Sequence, residues 1–383
     1  MKKTLLRSLS YLLVAVLASV LTLTVDRGQG GSDKLKELES LLSECYIGGA
    51  DQKAMEDGAA RGMVAALGDR WSYYMSAEEY LTYQDIMSNS YVGVGVAIQQ
   101  REDGQGLEVL EVDKGGGAEE AGILPGDILT GVDGKSILDV AVSEVTTWIR
   151  GEEGTKVSIT FLRQEQEHTV DVERRRIQSV VATGTMLDAE IGLVTIENFD
   201  ARCAAETIAV IEKLRQQGAK SLIFDVRNNS GGYKNELVEL LDYLLPEGPL
   251  FRAEDYRGKV NVDESDAAHL DMPMAVLVNL HSYSAAEFFA AALREYDAAV
   301  LVGEKTYGKG YFQNAYRLSD GSAVNLSIGK YSTPKGVTLA GVGLTPDVEV
   351  PVDEELASKI SLDQLKPEED PQIQAAVKAL KNP

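Results

Sequence analysis

The sequence predicts a multi-domain α/β protein in which a small β-rich module precedes an α/β core and helical segments lie at the N- and C-terminal ends. Three observations carry this. A chain of 383 residues with 44% hydrophobic content can bury more than one core. From Ile191 onward, apolar strand-like runs alternate with helical ones, the pattern of a largely parallel sheet. Between Tyr91 and Arg176 the pattern is instead one of short β-like runs bounded by glycines.

Taken in order, Lys2, Lys3 and Arg7 precede an uncharged stretch from Leu9 to Val25, the basic-then-apolar order of an export signal. No clean small-residue cleavage site comes after it. The stretch therefore reads as an uncleaved anchor in the cell membrane, with a removed signal peptide as the alternative, and the rest of the chain is expected outside the cytoplasm. As a helix it would span roughly 26 Å, slightly short of a ~30 Å hydrocarbon core. Residues 1–32 are this anchor and its polar linker. Residues 33–90 form a helical region, with Leu35, Leu38, Leu41 and Leu42, then Met55, Ala59, Met63 and Leu67, at helical spacing. Residues 91–176 are the β-rich module, with one helix from Val142 to Ile149. Residues 177–352 are the core, where "IGLVTI", "SLIFDV", "MAVLVN" and "AAVLVGE" read as strands between helices. Residues 353–383 read as an acidic helical tail.

Against 37 Lys and Arg stand 60 Asp and Glu, a net charge of −23, which argues against nucleic acid as a partner because phosphate attraction needs the opposite sign. Two cysteines, Cys45 and Cys203, are too few for a metal site or a disulfide framework and read as inert thiols, with a single bridge as the alternative. No cofactor or metal is expected.

In the β-rich module, "YVGVGVAI" places Gly93 and Gly95 where the backbone can turn and expose successive N–H groups just ahead of a β-branched strand. A backbone nest of this kind captures a peptide's terminal carboxylate while the strand edge pairs with the peptide. Together with "AGILPGDILTGVDG" (Ala121 to Gly134), the stretch resembles a PDZ domain. The resemblance implies that Tyr91, Val92, Gly93, Val94 and Gly95 line the site for a substrate's C-terminus. It also implies that Arg150 sits at the boundary with the catalytic core and couples peptide binding to activation; a solvated charge at a helix end is the alternative.

"NLHSYSAAEFFAAAL" (residues 279–293) comes after a buried strand and opens a helix, so a serine at this turn is exposed with a helix N-terminus behind it. Ser282 and Ser284 both qualify, and either could simply cap the helix. None of the three histidines makes a convincing base: His168 lies in the β-rich module, His269 follows an acidic loop, and His281 is too close along the turn to aim easily at Ser284. His281 nevertheless leaves a histidine base open. Another base is Lys309, which lies between two glycines in "GEKTYGKGYFQ", a setting that permits a tight turn and close backbone approach. A lysine serves as general base when burial lowers its pKa from ~10.4 towards 7–8. In an extended chain Lys309 and Gln313 share a face, so Gln313 could orient the amine.

Here the chain resembles the C-terminal processing peptidases, serine-lysine endopeptidases of family S41 with a core related to the crotonase and Clp protease folds. The family's Ser-Ala-Ser-Ala-Ser-Glu motif stands as Ser282-Tyr283-Ser284-Ala285-Ala286-Glu287. Tyr283 replaces a small residue and Ala286 the last serine. The resemblance implies that Ser284 is the nucleophile, Lys309 the base and Gln313 its partner. "IFDVRNNSGGYKNELVELLDYLLP" matches through Asp225, Arg227, Asn228, Gly231 and Gly232, and implies an oxyanion hole made by Gly231 or Gly232 with the Ala285 N–H. "YSTPKGVTLAGVGLTPDVEV" completes the match. The expected protein is an exported, ATP-independent endopeptidase that reads substrate C-termini and cleaves through an acyl-enzyme, with protein or peptide substrates and a homodimer or other homo-oligomer as partners. The alternative is a catalytically inactive protease-like PDZ scaffold.

Overall fold

The computed structural model describes residues 32–101 and 103–381. The anchor expected within residues 1–32 lies outside them but for its last residue. Among the described residues no helix is long and apolar enough to cross a membrane. The chain divides at Ser76 and Ala77 into two compact units.

The first unit holds helices α1 (Ser32–Cys45) and α2 (Gln52–Ala65) and the short strand β1 (Tyr73–Met75). Asp51 caps α2 by accepting from the Ala54 N–H at 3.0 Å, and the Tyr74 hydroxyl donates to Asp57 at 2.6 Å. The apolar residues spaced along α1, Leu35, Leu38, Leu41 and Leu42, are exposed.

The second unit opens with α3 (Ala77–Met87), β2 (Ser90–Gly93), β3 (Val96–Gln100), β4 (Leu107–Val112), the one-turn α4 (Gly117–Glu120), β5 (Ile128–Val132), β6 (Lys135–Ser136), α5 (Val142–Ile149), β7 (Lys156–Arg163), β8 (Gln166–Glu173) and β9 (Arg175–Gln178). Five of these strands form a sheet in the order β3-β4-β5-β7-β8, with β6 paired to β5, so β3 is an edge. Strand periodicity turns Val157, Ile159 and Phe161 of β7 inward, and α5 adds Val145 and Ile149, one helical turn apart. Strand β2 pairs antiparallel with β9 as a separate two-stranded ribbon.

That ribbon joins the β-rich module to the α/β core. The Ser179 N–H donates to the Asn89 carbonyl at 2.8 Å, so the outgoing and returning chains lie side by side. The Arg202 guanidinium donates to both carbonyls, of Asn89 at 2.9 Å and of Ser179 at 2.8 Å. The amides of Asn89 and Asn198 exchange hydrogen bonds at 3.0 and 2.8 Å.

The core comprises β10 (Ala182–Met186), β11 (Ile191–Ile196), α6 (Cys203–Gln216), β12 (Ser221–Asp225), α7 (Lys234–Leu244), β13 (Gly248–Asp255), β14 (Val260–Ser265), β15 (Met274–Val278), α8 (Ala285–Glu295), β16 (Ala299–Gly303), β17 (Tyr311–Arg317), β18 (Ala323–Ser332), β19 (Val348–Glu349), α9 (Glu354–Ser361) and α10 (Pro371–Lys381). Its main sheet runs β10-β11-β12-β15-β16-β19, parallel from β11 to β19 with β10 antiparallel at the edge. Both faces are covered, which is why these strands read as unbroken apolar runs. Val194, Phe224 and Val276 pack with α6, α7 and α8 on one face, whereas Leu193, Ile223 and Ala275 meet Ile373 and Ala376 of α10 on the other. A second, antiparallel sheet pairs β14 with β13, β13 with β18, and β18 with β17. The alternation of apolar strands and helices gave no sign of it. Cys45 is exposed and Cys203 buried, both free thiols, and burial pushes the Cys203 thiol up to about 12.

Candidate active site

The carboxyl ends of β11, β12, β15 and β16 converge, the usual place for a site in an open α/β sheet. Strand β15 ends in a turn whose last residue, Ser284, has φ +58° and ψ −126°, a conformation rare for any L residue. It stands directly ahead of α8 and is half-buried. Ser282 sits differently. It is fully buried, donates to the Val226 carbonyl at 2.7 Å and accepts from the Asn279 N–H at 3.0 Å, so its hydroxyl is spent holding the turn to β12.

Glu287, one helical turn into α8, organises this region. Its carboxylate has no exposure and accepts from the Ser284 N–H (3.2 Å), the Thr306 hydroxyl (2.5 Å), the Gly308 N–H (2.7 Å) and the Lys309 N–H (2.9 Å). Burial pushes this carboxyl up while the four donors pull it down. The Ser284 turn and the Lys309 turn are thus fastened to one side chain. The glycines beside Lys309 pack tightly: a Cβ on Gly308, at φ +90°, would lie 2.8 Å from the Gly343 nitrogen, and one on Gly310 would lie 2.3 Å from the Ala340 Cβ. Gln313, at a bulge in β17, directs its amide nitrogen into its own hairpin, donating to the Tyr311 carbonyl at 3.1 Å and Ser327 Oγ at 3.0 Å. The Ser284 Oγ accepts from the Tyr331 hydroxyl at 3.2 Å. Of the histidines, His168 stacks on Phe161 in the β-rich module, and His269 and His281 are exposed.

The turn after β12 is held from three directions. Arg227, buried, donates to Asp225 behind it and to Asp370 and Gln372 at the start of α10, at 2.8 and 2.9 Å. Asn228 and Asn279 exchange hydrogen bonds at 3.0 Å in both directions, which joins the β12 turn to the β15 turn. Asn229, also buried, donates to the Ile196 carbonyl at 2.7 Å and accepts from the Gly231 N–H at 2.8 Å. Gly231 then packs against the serine turn so closely that a Cβ would fall 2.7 Å from the Ser284 Cβ and 2.8 Å from the Ala285 nitrogen.

Tyr331, Asn229 and Asn279 were not singled out by the sequence, and Glu287 entered only as the end of a motif. Glu287 carried a readable signal, since an acidic residue three positions after a serine at a helix start is the capping-box pattern. Asp200 is a further case. It is buried with one carboxylate oxygen lacking a hydrogen bond, and burial, with the Glu236 charge adding to it, raises its pKa from 3.8 to about 7. The unfolded carboxyl ionises near its ordinary value, so folding stability should fall as the pH rises from about 4 to about 7. Asp200→Asn should therefore stabilise the protein by roughly 2–4 kcal/mol at pH 8 and leave it unchanged at pH 4. Urea unfolding at the two pH values measures this, and an equal gain at both would sink the assignment.

In the β-rich module, the Val94 and Gly95 carbonyls are taken by the Ala118 and Asp113 N–H groups at 2.8 and 3.0 Å, and Gly95 has φ +79°. Tyr91, Val92 and Gly93 pair with β9. The Tyr91 hydroxyl donates to Asp113 at 3.0 Å, and the Arg150 guanidinium lies 5.7 Å from the centre of the Tyr91 ring. Arg150 thus touches the mouth of this loop.

The α/β core thus carries an elbow serine at its strand ends, and the β-rich module an edge strand that follows a glycine loop. Three family models match: Peptidase family S41 over residues 190–350, PDZ domain over 108–163, and activating protease CtpB N-terminal domain over 22–79. The chain is 33% identical over 353 residues to the carboxy-terminal processing protease CtpA of Bacillus subtilis, covering 88% of this chain and 75% of that one. It is 32% identical over 326 residues to a CtpA-like serine protease of Staphylococcus aureus, covering 84% of this chain and spanning 65% of that relative's length. A solved S41 protease from Bacteroides fragilis shares the fold with a TM-score of 0.53 at 17% identity, over 87% of this chain and 90% of that one. The chain belongs to peptidase family S41.

Proposed function

We propose that the protein is an exported serine endopeptidase that takes hold of a substrate's C-terminus with its PDZ domain and hydrolyses peptide bonds through an acyl-enzyme on Ser284, with Lys309 as general base and Gln313 as its partner. The observation that carries the reading is the strained Ser284 elbow tied through Glu287 to the backbone of Lys309. Acylation joins Ser284 Oγ to the substrate carbonyl carbon and passes the hydroxyl proton to the Lys309 amine, which hands it to the departing amide nitrogen. Water then releases the acyl group.

Between the two candidate glycines, the reading favours Gly232 as the oxyanion donor beside Ala285. The Gly231 N–H is committed to Asn229, and the Gly231 carbonyl accepts from Phe199. In a trans peptide the N–H of Gly232 points opposite to that carbonyl and so away from Phe199, and the neighbouring Gly231 packs against Ser284 and Ala285.

The amides of Val94 and Gly95, just ahead of edge strand β3, donate to no group among the described residues and suit a terminal carboxylate, and Arg150 beside Tyr91 adds positive charge there. Amidating the C-terminus of an unstructured substrate should lower its affinity about tenfold to hundredfold, by loss of a charge-assisted contact. Cleavage rates below saturation, without nucleotide, test both the carboxylate reading and the independence from ATP; equal rates for free-acid and amidated forms would refute the former. Export and anchoring by residues 1–32 belong to the same proposal, and separation of membrane from soluble fractions tests them.

A further inference from the structure

We infer that Tyr331 is a catalytic residue that donates a hydrogen bond to the nucleophile's own oxygen through each charged stage of the reaction. This rests on the reading of Ser284 as nucleophile. The Tyr331 hydroxyl lies 3.2 Å from Ser284 Oγ, long for a neutral O–H···O pair, so the bond has room to shorten as charge builds on that oxygen.

The ring is held independently of the bond it makes. It is 5% exposed, edge-on to Phe288 of α8 with centroids 4.3 Å apart, stacked on Phe312 of β17 at 6.3 Å and tilted against Phe251 of β13 at 5.6 Å. Its backbone N–H donates to the Gly310 carbonyl, the residue after Lys309. One side chain is thus packed between the helix that follows the nucleophile and the strand that follows the base, and it aims its only polar atom at the nucleophile. Burial pushes the phenol well above its ordinary value, so it stays protonated and acts as donor throughout.

The bond matters where Oγ is negative. In acylation this is the moment when its proton passes to Lys309 and its electron pair moves to the substrate carbon. In deacylation a water oxygen attacks the acyl carbon and gives its proton to the Lys309 amine. The C–Oγ bond then breaks with its electron pair going to Oγ, and Oγ regains a proton from the Lys309 ammonium. Tyr331 keeps its own proton in both steps. A donor that binds Oγ more tightly in these states than in the resting hydroxyl lowers the barrier and leaves substrate binding alone.

The test compares full-length wild type, Tyr331→Phe, Phe288→Leu and Ser284→Ala on an unstructured peptide, with kcat and KM measured separately. Tyr331→Phe keeps the ring and removes only the hydroxyl. It should lower kcat about tenfold to thirtyfold and change KM less than about twofold, whereas Phe288→Leu, which loosens the same aromatic cluster but keeps the hydroxyl, should keep kcat within about threefold. A Tyr331→Phe kcat within twofold of wild type, beside an inactive Ser284→Ala, overturns the inference and leaves the nucleophile standing. An equal loss in Phe288→Leu and Tyr331→Phe overturns it in favour of packing. An active Ser284→Ala instead overturns the nucleophile reading beneath it.

Discussion

Ser284→Ala should abolish peptide hydrolysis, a loss of about 10⁴-fold or more, while Ser282→Ala leaves most of it. The two serines are two residues apart but occupy different settings. Removing the Ser284 hydroxyl takes away the atom to which the acyl group would be joined, and it leaves the elbow intact, because the bond that fastens the turn to Glu287 comes from the Ser284 backbone. Ser282→Ala does the reverse. It deletes the bonds to Val226 and Asn279 inside the turn and should cost about 1–3 kcal/mol of stability, visible as a lower melting temperature with turnover retained below it. Product formation on an unstructured protein, followed by mass mapping, measures both. An active Ser284→Ala alongside an inactive Ser282→Ala would reverse the choice of serine.

Lys309→Arg should lower kcat about 10³-fold although the positive charge is kept, because a guanidinium does not give up its proton near neutral pH and so cannot serve as a base. The backbone of Lys309 is held by Glu287 and by the glycines on either side, none of which depends on the side chain. The variant should therefore keep its fold, and its loss should appear in turnover of the folded protein. The companion variant His281→Ala should be fully active. The opposite pattern, an active arginine variant and an inactive His281→Ala, would move the base to histidine.

How much of this could be read from sequence depended on burial and on distance along the chain. Strands β11, β12, β15 and β16 are covered on both faces, so each is written as an uninterrupted apolar run and was visible as such. The antiparallel sheet beside them was not, because β14 (Val260–Ser265) and β17 (Tyr311–Arg317) are largely exposed and their polar residues carry no apolar rhythm. In the candidate site, Ser284 and Glu287 fall within one helical turn and are legible as a capping pattern. Tyr331, by contrast, meets Ser284 across 47 positions of sequence. Asn229 is likewise surrounded by the ends of three strands that the sequence separates widely. Only the folded sheet gives such residues their partners, and a tyrosine among aromatic and apolar neighbours reads first as core.

The ribbon between the β-rich module and the core has a further meaning for how such a chain can be rebuilt. Asn89 and Ser179 are one hydrogen bond apart, and Arg202 holds both from the core side. To the core, everything from Ser90 to Gln178 is a single excursion that departs and returns through one doorway. A short turn joining Asn89 to Ser179 would close that doorway without asking any core strand to move, and another module with closely spaced ends could be set in its place. The β-rich module and the α/β core are thus separable parts of the chain, held together at the doorway by Asn198 and Arg202, which come after β11.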